Sequence, residues 1–279
     1  MVLAGIVLFN PNLSRLKENI EKVREQVSGV VLIENGSTNI EYLKELNLEN
    51  CKVIVNKKNK GIAYALNQIL HQGYLCHSDW VLTLDQDSVS SKDMIKELLH
   101  YAKGNVGIVC PKIIDRNFYS NAQANSGVEL LDYCITSGSL TNVQAWVKTG
   151  GFDESMFIDW VDWDFCIALR LNGFKILRTN STYLLHELGD NTRCFHIGKH
   201  EFLILNRSPF RYYYIFRNYI YIARKYRHLS LLKNFLVVIK WMLLSLVFEA
   251  NRKKNLKAMF KGMCDGLKMK VTTQHPLWA

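Results

Sequence analysis

The sequence predicts an α/β protein, a mostly parallel sheet flanked by helices, with a basic helical extension at its C-terminal end. Three observations predict it. Apolar strand-like runs alternate with segments of helical spacing from Leu3 to Ile113. The strand runs are apolar nearly throughout instead of at every second residue, as strands covered on both faces are. Positive charge is confined to the C-terminal quarter. The 279 residues hold 35 Lys and Arg against 25 Asp and Glu. From Arg207 onward there are 15 basic residues and two acids, Glu249 and Asp265, a net of +13, so the first 206 residues carry a net of −3. The division expected on this basis is a nucleotide-binding and catalytic part over 1–206 and a basic amphipathic tail over 207–279.

The elements follow in order. "LAGIVLF" is a buried strand, and the chain reaches it without the basic n-region of a cleavable signal. "SRLKENIEKVREQV" places apolar residues at 16, 20, 23 and 27, which is helical spacing, with Ser14 as the expected cap. "GVVLIENGS" is a second strand ending in a glycine turn, "CKVIVNKKNKG" a third, and "IAYALNQILHQGYL" a helix. "WVLTLDQD" is a fourth strand, "SKDMIKELLHYA" a helix capped by Ser90 or Ser91, and "VGIVCPKI" a fifth strand. Ligands of such sheets sit beyond the C-terminal strand ends, which puts Asn10, Asn35, Asn59, Asp85 and Asp87 along one edge. No GxxxxGK[ST] loop and no G-x-G-x-x-G after the first strand is present, so a P-loop NTPase or a dinucleotide oxidoreductase is excluded. Seven cysteines, none in a C-x-x-C pair, suit neither a zinc site nor a disulfide framework and point to reduced thiols.

Two carboxylates two residues apart, Asp85 and Asp87, close the fourth strand. An acid-rich strand end serves equally as a turn, so this pair alone decides nothing. A second acidic cluster, Asp153, Glu154, Asp159, Asp162 and Asp164, precedes an apolar helical pattern running to Leu171. Acids also favour a helix N-terminus for its partial positive charge. His186 follows a third apolar run in "YLLHELGDN", and a lone histidine is more often structural than a ligand.

The order and spacing of "LFNPN", "VVLIENGSTN", "NKKNKGIAYALNQ", "LTLDQDS", "GFDESMFIDWVDWDFCIALRLNGFKI", "LLHELGD" and "SPFRYYYIFRNYIYIARKY" are specific together. On these segments the chain resembles family 2 of the inverting GT-A glycosyltransferases, and within it the bacterial rhamnosyltransferase-like group. The resemblance spans almost the whole chain and implies a GT-A, Rossmann-like fold. It implies that Asn10, Asn35, Asn59, Gly61 and Asp85 bind the nucleotide sugar, with Asn67 closing the third segment's element. It implies that Asp85 and Asp87 form a D-x-D motif, that His186 completes a metal shell, and that Asp162 is the catalytic base. The first acid of the family's E-D pair is Val161 here, which leaves Asp159 as a compensating acid and Asp164 as an alternative base. The cofactor implied is a divalent cation, Mg²⁺ or Mn²⁺, because a departing nucleoside diphosphate concentrates negative charge and hard cations take carboxylate oxygens.

The implied reaction moves L-rhamnose from dTDP-rhamnose onto a polyprenyl-diphosphate-linked saccharide in surface polysaccharide (O-antigen or capsule) assembly. Galactose or N-acetylglucosamine from a UDP donor is the alternative within the enzyme class. A non-catalytic membrane- or nucleic-acid-binding module is the alternative outside it, and it has no need for Asp85, Asp87, Asp162 and His186 to converge. Residues 231–248 form an 18-residue apolar run broken by Lys233, Asn234, Lys240 and Ser245, followed by "NRKKNLK". A lysine at mid-bilayer costs about 2.5–3.5 kcal/mol, so a helix lying in the plane of an anionic membrane surface fits better than a span. The expected location is the cytoplasmic face of the cell membrane, held peripherally, with no nucleic acid partner.

Overall fold

The computed structural model describes residues 1–115, 127–186, 193–197, 200–204, 207–226, 236, 239–240, 242–243, 247–249 and 251–271, with the backbone alone for 193–197 and 200–204. Two compact units result, one from Met1–Phe157 and Val161–Glu187, the other from Ile158–Trp160 and Leu188–Gln274.

The first unit is an α/β sandwich around a nine-stranded mixed sheet. Its parallel half runs β3 (Cys51–Val55), β2 (Gly29–Glu34), β1 (Val2–Leu8) and β4 (Trp80–Asp85). The apolar runs of β1, β2 and β4 reflect strands covered on both faces, with all seven residues of β1 buried, whereas the edge strand β3 has no buried residue. The register pairs Leu8 with Glu34, Glu34 with Val55 and Val7 with Asp85, so four strands end at one level. Helix α1 (Leu13–Arg24) joins β1 to β2, a 3₁₀ turn over Glu41–Glu45 lies between β2 and β3, α2 (Ile62–Leu75) joins β3 to β4, and α3 (Met94–Tyr101) follows β4; the 3.6-residue pattern predicts the three α-helices. Leu16, Ile20 and Val23 are buried by α1.

Two cap expectations are corrected. The cap of α1 is Asn12, whose side chain accepts the Arg15 amide, while Ser14 donates its hydroxyl to Asn12. Helix α3 starts at Met94 after Asp93 in the left-handed region, because Ser90 belongs to a short strand and the Ser91 hydroxyl is bonded to Thr182.

Beyond β4 the sheet turns antiparallel. Strand β5 is Val89–Ser90, β6 Val106–Asp115, β7 Val128–Leu131, β8 Ser139–Asn142 and β9 Lys175–His186. Strand β8 inserts antiparallel between β4 and β6, and β6 pairs in parallel with β9. Between Pro111 and Lys112 that register jumps from Thr179 to Tyr183. Such an irregularity bends a strand and re-aims its far half. The far half of β9 then pairs antiparallel with β5, Val89 with Leu185, directly after the Asp85–Asp87 turn. Helices α4 (Val143–Thr149) and α5 (Val161–Leu171) complete this unit.

In the second unit, β10 (Arg193–Ile197) and β11 (His200–Ile204) form a hairpin. Helix α6 (Pro209–Lys225) begins on a Ser208 cap with proline at the first position, where its missing N–H costs nothing. It packs on α7 (Arg252–Lys268) around Tyr212, Phe216 and Met259. Gly262 and Gly266 lie against the α6 backbone, where a Cβ would come within 2.3 Å of the Tyr213 carbonyl oxygen and 2.4 Å of that of Arg217. The buried Glu249 carboxylate accepts from Tyr212 and Asn255. Most of the 231–248 run lies outside the described residues, and among those described no helix is long and apolar enough to cross a membrane.

Candidate active site

Asp85 ends β4, Asp87 follows in the turn, and His186 ends β9. Their ligand atoms lie within 4.8 Å of one another. His186 Nε2 stands 3.9 Å from Asp85 Oδ2, and Nδ1 stands 3.7 Å from Asp87 Oδ1. Between the two acids, Gln86 accepts the Phe9 N–H at 2.9 Å and donates to the Phe9 carbonyl at 3.3 Å, tying the ends of β1 and β4 together. Asn19 on α1 donates to the Asp85 carbonyl at 2.7 Å.

Two serines that the sequence does not announce hold this cluster. The Ser137 hydroxyl accepts the Asp85 N–H at 3.0 Å and lies 2.7 Å from the Ser88 hydroxyl, which lies 3.0 Å from His186 Nδ1. Both serines are buried. When Nδ1 donates to Ser88, Nε2 keeps its lone pair facing Asp85, which is how a second hydrogen bond fixes the tautomer of a metal-ligating histidine. Asp87 Oδ1 is buried and accepts no hydrogen bond. A buried carboxylate oxygen without a donor is costly unless a cation meets it. Two carboxylates and an imidazole are a donor set that suits a divalent metal ion.

Along the same edge, Asn10, Asn35, Asn59 and Gly61 hold the loops in shape. Asn10, in the left-handed region at φ 47, accepts the Thr38 amide and hydroxyl, each at 2.9 Å, and donates its own N–H to the Ser37 hydroxyl oxygen at 2.8 Å. Ser37 in turn donates to the buried Glu34 carboxylate, which Tyr42 also meets. Burial and that carboxylate push the Tyr42 phenol well above its usual range, so it stays a donor. Asn35 is buried and its amide is bonded within the protein: it donates to Asn59 Oδ1 and the Gly61 carbonyl, and accepts from Asn56 and the Lys60 amide. Asn59 accepts the Gly61 N–H at 2.9 Å. Gly61 has φ 89, and a Cβ there would sit 2.6 Å from the Phe157 carbonyl oxygen, so this position tolerates only glycine.

The second acidic cluster is split by the fold. Asp162 and Asp164 both occupy the first turn of α5. Asp162 is partly exposed and accepts the Trp163 amide at 2.9 Å, whereas Asp164 is fully buried. Val161 is buried in the core. Asp159 is occupied elsewhere, in the second unit: Arg211 grips its carboxylate through Nε at 2.8 Å and Nη2 at 2.5 Å, and Arg207 adds a bond at 3.1 Å. Burial lowers the Arg207 pKa while Asp159 opposes that shift. Asn218 donates to the Ile158 and Asp159 carbonyls at 2.8 and 2.9 Å, holding Asp159 and Trp160 in consecutive left-handed conformations. Two such non-glycine residues cost roughly 1–2 kcal/mol each, and the charge-assisted fork and the Asn218 bonds offset that cost.

Comparison with known proteins bears on this edge. A family model described as "Glycosyl transferase family 2" matches residues 4–171, more than half of the chain. A Shigella flexneri protein described as "dTDP-rhamnosyl transferase RfbF" is 27% identical over 93% of this chain and 92% of its own. Among solved structures, GalNAc-T7 with UDP, GalNAc and Mn²⁺ superposes with a TM-score of 0.65 at 14% identity, over 99% of this chain. This chain spans only 58% of that protein's length. S. aureus TarS 1-349 in complex with UDP-GlcNAc gives a TM-score of 0.56 at 17% identity, over 96% of this chain and 81% of the other. At these identities the structures establish the GT-A fold and no more.

Proposed function

The chain belongs to glycosyl transferase family 2, and from that premise we propose that it transfers L-rhamnose from dTDP-L-rhamnose, with inversion, onto a lipid-linked saccharide during surface polysaccharide assembly. The observation that carries the reading is the meeting of Asp85 and Asp87 with His186, about a hundred residues on in sequence, at the strand edge where α/β sheets bind nucleotides. The choice of dTDP-rhamnose leans on the relative described as a dTDP-rhamnosyl transferase.

The reaction asks little of the protein beyond position and charge. Asn10, Asn35, Asn59 and Gly61 shape the loops that receive the nucleotide, and Asp85, Asp87 and His186 would hold a divalent cation. When bound, that cation neutralises the charge developing on the departing diphosphate. The acceptor hydroxyl attacks the anomeric carbon from the opposite face, and Asp162 takes its proton. Partial exposure favours Asp162 over the fully buried Asp164, because the base must reach a bound acceptor. A single displacement needs no covalent enzyme intermediate.

A donor panel tests this reading. With Mn²⁺ or Mg²⁺ present, release of dTDP from dTDP-L-rhamnose is expected to exceed release of UDP from UDP-galactose or UDP-N-acetylglucosamine. Preference for a UDP donor replaces the sugar assignment, and no turnover of any nucleotide sugar overturns the reading.

The tail, residues 207–279, is assigned to an anionic membrane surface on the cytoplasmic side. Leu236, Ile239, Leu243 and Val247 are exposed at helical spacing, and Arg252, Lys253, Lys254 and Lys257 are exposed just beyond them. Phe248 in the same run is half-buried, and Phe235 and Trp241 lie outside the described residues. Each basic residue near such a surface contributes about 1 kcal/mol. Co-sedimentation with vesicles containing phosphatidylglycerol is therefore expected to be strong at low salt and partly, not wholly, reversed at high salt. Binding that salt abolishes would leave charge alone, and no binding at either salt would contradict the assignment.

A further inference from the structure

Tyr133 and Trp163 stack face to face, with ring centroids 3.8 Å apart at an interplanar angle of 16°. Trp163 remains 39% exposed despite that stack. Neither ring is among the buried core residues. Their position is set by the segment between β7 and β8. At one end of it, Ser137 receives the Asp85 N–H. At the other end, Cys134 Sγ lies 3.9 Å from Cys166 Sγ on α5, and Asp132 pairs with Arg170 at 2.9 Å. The segment thus runs from the Asp85–Asp87 turn to α5 and delivers Tyr133 against the residue that follows Asp162.

We propose that the Tyr133–Trp163 pair is a platform for a sugar ring of the acceptor, a proposal that rests on the glycosyl-transfer reading of this edge and on Asp162 as its base. A pyranose presents a patch of C–H groups on one face and hydroxyls around its rim. The negative face of an aromatic ring attracts the C–H patch, and a platform with a polar rim satisfies the hydroxyls. This pair has such a rim: Asp132 and Arg170, paired and 67% and 41% exposed, stand beside it, with the Arg170 guanidinium over the Tyr133 ring at 5.8 Å, so the exposed Trp163 ring is the stacking surface. A polyprenyl chain has no use for a charged rim, which is why a saccharide is the favoured occupant. Stacking on this platform holds the acceptor next to Asp162, and the position of the ring along it selects the hydroxyl offered to the base. Specificity for the acceptor sugar then resides on α5 and the 132–138 segment, apart from the loops that read the nucleotide.

The test uses the full chain with dTDP and Mg²⁺, and ligand-observed saturation-transfer NMR. The probes are the methyl glycosides of L-rhamnose, D-glucose, D-galactose and N-acetyl-D-glucosamine, with farnesyl phosphate as the lipid probe. At least one glycoside is expected to receive saturation on its ring C–H protons. Trp163→Ala and Tyr133→Ala should each weaken it about tenfold, the equivalent of one lost ring stack, while Trp163→Phe keeps most of the affinity. Unfolding midpoints check that the variants fold, and Trp163→Phe serves if Trp163→Ala does not. No glycoside signal with the wild-type chain, or affinity unchanged in both alanine variants, overturns the platform. Loss of farnesyl phosphate alone reassigns the pair to lipid and overturns it too. Turnover in the donor panel separates the two proposals: nucleotide-sugar turnover with glycosides indifferent to Trp163 defeats the platform only, whereas no turnover defeats the reading beneath it.

Discussion

Asp162→Asn is expected to leave nucleotide-sugar affinity within a fewfold of the wild type and to cut the transfer rate by roughly 10²–10⁴-fold, the usual contribution of a positioned general base. The substitution keeps the side chain's size and its acceptor oxygen for the Trp163 amide, so the first turn of α5 is preserved. What it removes is the capacity to take a proton. Asp164→Asn is the companion experiment two residues away on the same turn. Its carboxylate is fully buried, so any loss there should show as lower thermal stability and not as a selective fall in kcat. Single-turnover transfer with bound donor separates binding from chemistry. A larger fall in kcat for Asp164→Asn than for Asp162→Asn would move the base to Asp164.

Asp87→Asn is expected to lower divalent-ion-dependent turnover by a hundredfold or more, since stabilising the charge on a departing oxygen is worth several kcal/mol. The fold should survive, because Asp87 sits in a turn with 32% of its side chain exposed. Treating the wild-type chain with EDTA should produce the same loss, restored by Mn²⁺ or Mg²⁺, whereas the variant should recover little. Activity that persists through both the substitution and the chelator would mean that the diphosphate departs without a metal ion here. The Ser88 and Ser137 hydroxyls, which orient His186 and the Asp85 backbone, predict smaller losses of the same kind when replaced by alanine.

The parallel half of the sheet was legible because its strands are continuous apolar runs separated by helical periodicity. In the antiparallel half only β6, read as "VGIVCPKI", and the apolar end of β9 before His186 were legible. Strand β8 reads "SLTN" and β7 "VELL", four residues each with polar positions, and neither carries a periodic signal. They exist because partners distant in the chain supply their hydrogen bonds. The same limit applies to the site. Asp85 and Asp87 could be read from a strand ending on two acids. That His186 joins them depends on the β6–β9 irregularity and the β5–β9 pairing. Ser88 and Ser137 look like ordinary turn serines until their burial is known. Asp159 shows how a residue type can mislead: as an acid before the helix it was a candidate to replace Val161, yet two arginines of the second unit occupy its carboxylate.

Mn²⁺ binding, followed by electron paramagnetic resonance with dTDP present, addresses the site without requiring the acceptor or the donor sugar. The wild-type chain is expected to bind one Mn²⁺ that Mg²⁺ displaces. His186→Ala should weaken that binding by about tenfold or more, the usual loss when a metal ligand or its support is removed, and Asp87→Asn should weaken it further. Equal Mn²⁺ affinity in the wild-type, His186→Ala and Asp87→Asn proteins contradicts a divalent-ion site at the ends of β4 and β9.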